Sequence, residues 1–326
     1  MHLVFVHLGT AKANHLYFNI KRVINLFPEL KVTLIYSETS FIKKWNDLPI
    51  NFYKYTEKED TSHILNNLAH NSKFRMNFWR YSIERLYALA EWHSINPDQK
   101  LLHLESDILI MPNFPIEKFE MVDQISWCSF NQSHDVASMI LSPSITDTNW
   151  MLNELELLLI EDSTLTDMTG LRKLKEKFPD RARYLNSGEA IAFLGGVIDA
   201  APYGMWLCGR DPRNHKGVTR RFLELPESDI NPNCVSFHYG YKSHLRIKKS
   251  EGSEFSLFNL HVHSKQLAIF RNHWRLVMLA YAITSRIRFP KYWFSLTAFS
   301  QLASDSVHRN GIKGSWKAVR KLFDYR

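Results

Sequence analysis

Residues 101–110 read LLHLESDILI. Two apolar runs of strand length flank the triplet Glu105-Ser106-Asp107. A carboxylate buried without a partner is strongly unfavourable, so two of them at this spacing require a compensating charge or a position at the edge of the fold. The surrounding sequence decides between these.

The residues before the triplet alternate in period. Positions 3–8 are a short apolar run, which predicts a buried strand. Positions 11–27 place Leu16, Ile20, Val23, Ile24 and Phe27 at helical spacing and stop at Pro28. Positions 32–36 are apolar and β-branched, positions 51–55 are a weaker strand, and positions 74–92 form a long helix candidate with Phe78, Trp79, Ile83, Leu86, Tyr87 and Ala90 on one face. Positions 101–104 make the next strand. This alternation predicts an α/β fold with a mixed, mostly parallel sheet flanked by helices, Rossmann-like in its first half. Ligands bind such sheets at the carboxyl ends of the strands, where the triplet falls, and Glu38 closes another strand in the same way. Further on, positions 125–130 and 137–141 read as strands. Asp147 or Thr148 is an expected cap for a helix running to about Leu159, and 171–178 is a short basic helix. Positions 188–217 are expected to be loop-rich, with Gly195, Gly196, Gly204 and Gly209 close together.

The 326 residues are 45% hydrophobic and 23% charged, the balance of a packed globular chain. Aromatics at 13% suit a large core, and equally a cleft for sugars or nucleobases. Cys128, Cys208 and Cys234 are widely spaced and odd in number, so free thiols in a reducing compartment are expected. The start MHLVFVHLG lacks a basic leader and reads as a first strand. The longest clean apolar run, 276–283, is too short to span a bilayer. The net charge of +8 is concentrated at one end: positions 270–326 hold 11 Lys or Arg against two Asp, a balance of +9 that leaves the rest near neutral. One continuous domain over 1–268 with a C-terminal helical appendage, the basic, aromatic-rich tail 269–326, is the simplest partition.

An acid-x-acid triplet at a strand end suits a hard divalent cation, Mn²⁺ or Mg²⁺, whose shell a nucleotide diphosphate would complete. It also fits a plain surface turn. The segment Asn259-Leu-His-Val-His-Ser-Lys265 supplies imidazoles at His261 and His263, on one side of an extended chain, with Lys265 beyond them to neutralise a phosphate. The choice between the two histidines stays open.

LLHLESDILIMPNFP at 101–115 resembles the metal-binding segment of GT-A-fold, nucleotide-sugar-dependent glycosyltransferases. FWRYSIERLYAL at 78–89, TDMTGLRKLKEKFPDRARYL at 166–185, DAAPYGMWLCGRDPRN at 199–214 and LHVHSK at 260–265 resemble bacterial members that build surface polysaccharides. The resemblance runs over roughly 1–268 and implies a GT-A-like fold. It implies that Asp107 is the principal metal ligand and that a C-terminal His is the second. Glu105 stands where the family has Asp, which leaves it a ribose or water-mediated contact. Arg85 would face the diphosphate, and Glu38 would line the nucleotide. Asp167, Asp199 and Glu189 are the candidates to meet the sugar or acceptor or to act as base. Trp79 and Trp206 are stacking or core residues.

The expected activity is transfer of a sugar from a nucleotide diphosphate sugar, with UDP the expected nucleotide, to a hydroxyl of a glycan or lipid-linked glycan. The tail would meet an anionic membrane surface on the cytoplasmic face, and no nucleic acid is expected as a partner. One rival is a nucleotidyltransferase, disfavoured by the single glycine in Leu8-Gly9-Thr10-Ala11-Lys12. Another is a non-enzymatic protein binding nucleic acid or an anionic surface through the tail.

Overall fold

The computed structural model describes residues 1–10, 14–39, 45, 47–70, 77–204, 236–239, 245–248 and 252–263. The basic tail, Lys265, Trp206, Cys208 and Cys234 lie outside these residues.

The first half runs β1 (His2–His7), α1 (Asn14–Leu26), β2 (Lys31–Tyr36), β3 (Asn51–Lys54), α2 (Glu59–Asn66), α3 (Phe78–Ile95), β4 (Leu101–Leu104) and β5 (Ile108–Ile110). It continues with α4 (Ile116–Glu120), β6 (Ser126–Ser129), β7 (Asp135–Ser142), α5 (Ile145–Glu161), α6 (Asp167–Lys177), β8 (Arg183–Tyr184), α7 (Gly188–Leu194) and β9 (Gly196–Val197). The strands β10 (Ser236–Tyr239), β11 (Leu245–Lys248), β12 (Glu254–Leu257) and β13 (Asn259–His261) follow.

The main sheet has seven strands in the order β3-β2-β1-β4-β7-β6-β8. The pairs β2–β3, β1–β2, β1–β4 and β6–β8 are parallel, while β7 runs antiparallel to both β4 and β6. The fold is therefore α/β with a mixed, mostly parallel sheet, as the alternation requires. One apolar cluster packs α1 on the sheet through Leu16, Ile20 and Val23, against Leu3, Phe5 and Leu34. A second packs α3 and α5 on the other face, through Ile83, Leu86, Leu89 and Leu155 against Val4, Ile35 and Trp127. Each of these side chains is nearly or fully buried. Full burial of one such group is worth about 1.5–3 kcal/mol, and packing of this kind is what stabilises helices in a fold.

Several local expectations are corrected. Ser144, not Asp147 or Thr148, caps α5: its hydroxyl accepts from the amide of Asp147. Thr166 caps α6 in a reciprocal arrangement with Thr169, which leaves the Asp167 carboxylate available for other contacts. Part of the expected loop is helical: α7 is capped by Ser187 and ends at Gly195 in the left-handed region at φ 79°. α2 carried too weak a pattern to be anticipated.

Two smaller sheets complete the described residues. β9 joins β10, β11 and β12, and β13 pairs antiparallel with β5, setting His261 opposite Ile108. That second pairing carries the far segment to the acidic triplet.

Candidate active site

Backbone bonds fix the triplet before any side chain is considered. The Glu105 amide donates to Ser138 O (2.9 Å), which ties the end of β4 to β7. The Ile108 amide donates to Glu105 O (3.1 Å), closing a tight turn. The Asn19 side chain, buried on α1, donates to Ser106 O (3.2 Å) and Ile108 O (2.7 Å). The Val262 amide donates to Asp107 O (2.8 Å), locking the triplet to the segment that follows β13. His261 is thus a neighbour of Asp107 because their peptides are.

Three ligand-type side chains converge there. His261 Nε2 lies 3.3 Å from Glu105 Oε2 and 3.5 Å from Asp107 Oδ1. One donor atom from each of Glu105, Asp107 and His261 falls within 4.8 Å of the others. His261 Nδ1 donates to Ala200 O (2.6 Å), because a carbonyl oxygen can only accept. That bond makes Nδ1 the donor to the carbonyl and turns Nε2 towards the carboxylates, as in imidazoles that bind metal. The structure therefore separates the two histidines. His261 presents its Nε2 to the acids, and His263 stacks on its ring with centroids 4.0 Å apart at 18°.

Charge explains the arrangement. Arg85, buried on α3, donates through one Nη to Glu105 Oε1 and through the other to Asp167 Oδ2 (2.9 Å). Among these groups three carboxylates face one guanidinium, so two negative charges remain. Without a cation, His261 takes up part of the difference. Burial acts to lower its pKa, but Asp107 and Glu105 outweigh burial and push it up to about 9. For Glu105, burial acts upward, yet Arg85 and then His261 hold it below the usual carboxylate range. For Asp167, burial prevails over Arg85 and the pKa is raised. Two carboxylates and an imidazole held through its Nδ1–H are a donor set that a divalent cation takes in place of the His261 proton, so the residues fit one.

These groups line one cleft of about 250 Å³. Its lining includes residues at the ends of β1 and β4, Phe78, Trp79 and Tyr81 from the start of α3, Phe130, Asp167 and Met168, and His261 and His263. Tyr81 packs against Gly9, which sits in the left-handed region at φ 80°; a Cβ there would come within 2.9 Å of the ring. The other Asp167 oxygen, Oδ1, is buried and accepts no hydrogen bond.

The remaining candidates fall elsewhere. Arg85 lines the cleft, but both its Nη groups are committed to carboxylates, so it does not stand as an open diphosphate contact. Glu38 is exposed at the end of β2 and is not part of the cleft lining. Glu189 is exposed in the first turn of α7, also away from the lining. Asp199 is 1% exposed and off the lining too; backbone amides fill its carboxylate, which rules out acceptor contact in this arrangement. Trp79 lines the cleft rather than the core. The Arg85 bridge was not anticipated. Its one sequence signal is an Arg on the apolar helix preceding an acidic strand end. No helix among the described residues is long and apolar enough to cross a membrane, and Cys128 is a buried free thiol.

No protein-family model and no curated protein sequence matches the chain. Among solved structures it is similar to the galactosyltransferase LgtC in complex with donor and acceptor sugar analogues, at 16% identity over 57% of this chain and 74% of that one, with a TM-score of 0.42. It is similar to the PaToxG glycosyltransferase at 11% identity, over 55% of this chain and 68% of that one, with a TM-score of 0.38. A third is a glycosyltransferase involved in the glycosylation of the major capsid of PBCV-1, at 13% identity over 60% and 89%, TM-score 0.33. The likeness is one of fold.

Proposed function

We propose that the chain is a divalent-metal-dependent glycosyltransferase, moving a sugar from a nucleotide diphosphate sugar to a hydroxyl of a glycan or lipid-linked glycan. UDP is the nucleotide we assign to the donor. The observation that carries this reading is the convergence of Glu105 Oε2, Asp107 Oδ1 and His261 Nε2 at a strand-end cleft.

Asp107 and His261 would hold Mn²⁺ or Mg²⁺ directly. When bound, the cation would supply Lewis-acid stabilisation of the charge that develops on the departing diphosphate. Glu105 shares its carboxylate between Arg85 and the cluster, so it would shape the site more than anchor the ion. The aromatic wall of Phe78, Trp79 and Tyr81 offers apolar faces on which a base or sugar ring would stack. Asp167 brings to the same cleft a carboxylate whose pKa burial raises, and we assign it as the candidate base for the acceptor hydroxyl. Lys265 is assigned to the diphosphate, and the tail 269–326 to an anionic leaflet where a lipid-linked acceptor would lie.

The test is incubation with a panel of nucleotide sugars and Mn²⁺. Slow hydrolysis of one donor, lost on adding EDTA, is expected. No turnover of any donor, with or without sugar acceptors, contradicts the reading.

A further inference from the structure

We propose that Asp199 is a positioning residue whose buried carboxylate, with the turn it organises, holds His261 in the orientation that delivers Nε2 to Asp107 and Glu105. The inference rests on the metal-dependent reading above.

The Asp199 carboxylate is held by backbone amides. Its Oδ1 accepts from the amide of Tyr203 (3.0 Å), and its Oδ2 accepts from the amides of Gly204 (2.7 Å) and His261 (2.9 Å). Asn259, two residues before His261, clamps the Asp199 peptide from both sides. Its Oδ1 accepts from Asp199 N (2.8 Å) and its Nδ2 donates to Asp199 O (2.9 Å). The next carbonyl, Ala200 O, accepts from His261 Nδ1. The turn thus meets His261 at the peptide through Asp199 and at the ring through Ala200. Gly204 packs so closely that a Cβ would lie 2.0 Å from His261 O.

A fold that needed only a turn here would not need a buried charge. Asp199 is 1% exposed, and burial pushes its pKa up to about 6 even though the three amides draw it down. A carboxylate is the side chain that faces three N–H donors with acceptors alone. An amide would set its own N–H₂ against one of them. What the carboxylate secures is a fixed His261 peptide, and through it a ring whose Nδ1–H points at Ala200 O. Groups that orient a metal-binding imidazole in this way set affinity without touching the ion.

The experiment titrates Mn²⁺ alone into the full chain and reads affinity together with the imidazole nitrogen coupling in the pulsed EPR spectrum of the bound ion. Asp199→Asn and Gly204→Ala are each expected to weaken Mn²⁺ binding about 10- to 100-fold and to diminish the coupling. UDP affinity in EDTA should not change. A variant that melts earlier but binds Mn²⁺ with wild-type affinity and coupling overturns the inference, because its role is then structural only. Should neither variant fold, the wild type still decides: a His261 Nδ1 proton protected from solvent exchange supports the socket, and one exchanging at solvent rate overturns it. A wild type that binds no imidazole-coupled Mn²⁺ sinks the metal-dependent reading itself, an outcome distinct from failure of the variants.

Discussion

Arg85 bridges Glu105 and Asp167, joining the acidic strand end to the first turn of α6 through one buried guanidinium. A helix, a strand end and a second helix are held at one point by charge, and that point lies on the cleft. A buried ion pair adds little stability relative to an apolar replacement, but removing one partner strands the others. Arg85→Gln is expected to destabilise the chain by about 3–5 kcal/mol, since the two carboxylates then lose the guanidinium between them. Denaturant unfolding measures this. Asp167→Asn added to Arg85→Gln should recover part of the loss, whereas independent, additive effects would mean that the bridge does not couple them.

Asp167, which lines the cleft, and Glu189, which does not, give a contrast. Asp167→Asn keeps the acceptor that faces Arg85 but removes the proton-accepting oxygen. Transfer should fall by about 10²-fold or more, the range for loss of a positioned base. UDP affinity should stay near that of wild type. Glu189 is exposed and off the cleft, so Glu189→Gln should leave both unchanged. Steady-state rates and calorimetry separate the two. Wild-type turnover in Asp167→Asn would reduce Asp167 to a partner of Arg85.

Much of this architecture was legible in the sequence, for identifiable reasons. β1, α1, β2, α3 and β4 declare themselves by period, since each buries one face against a large neighbour. The triplet at the end of β4 is visible because charge interrupts an apolar run. The sequence leaves His261 and His263 equivalent, because they alternate in an extended segment. What distinguishes them is tertiary: the bond from the Val262 amide to Asp107 O and the ring bond from His261 to Ala200 O. Asp199 read as a candidate for acceptor contact or base because it opens a glycine-rich stretch, while its three amide partners come from chain folded back on it. α7 was hidden by its flanking glycines, although Ser187 is a recognisable cap in retrospect. The Arg85 bridge joins three segments far apart in the chain, and local pattern carries no trace of such contacts.

Glu84 makes the folded state sensitive to pH. It is buried on α3, and burial, followed by the charge of Glu57, pushes its pKa up to about 7, with Arg80 only partly offsetting them. Tyr55 and Tyr81 are the other titratable groups it influences. A carboxyl whose folded pKa exceeds its unfolded value keeps its proton more tightly in the native state. Stability should therefore be greatest below about 4.5, as far as this group is concerned, and decline as pH rises towards 7. Glu84→Gln removes that slope. It should match or trail wild type at pH 4.5 and exceed it at pH 8, by a difference on the order of 1–2 kcal/mol. Urea midpoints across that range measure the crossing, and parallel profiles for the two proteins would contradict it.

The cation is the hinge of the proposed chemistry, and Asp107 is the residue through which it acts. Without a cation, the cleft presents its excess negative charge to the diphosphate. With one, attraction replaces repulsion. Calorimetric titration of UDP into wild type and Asp107→Ala, in EDTA and again in Mn²⁺, isolates this effect. Mn²⁺ should tighten UDP binding to the wild type about tenfold or more, equivalent to about 1.4 kcal/mol. Asp107→Ala should show no such gain. Equal UDP affinity in EDTA and in Mn²⁺, for both proteins, would show that the triplet is a turn held by Arg85 and His261, and that no metal-dependent transfer occurs there.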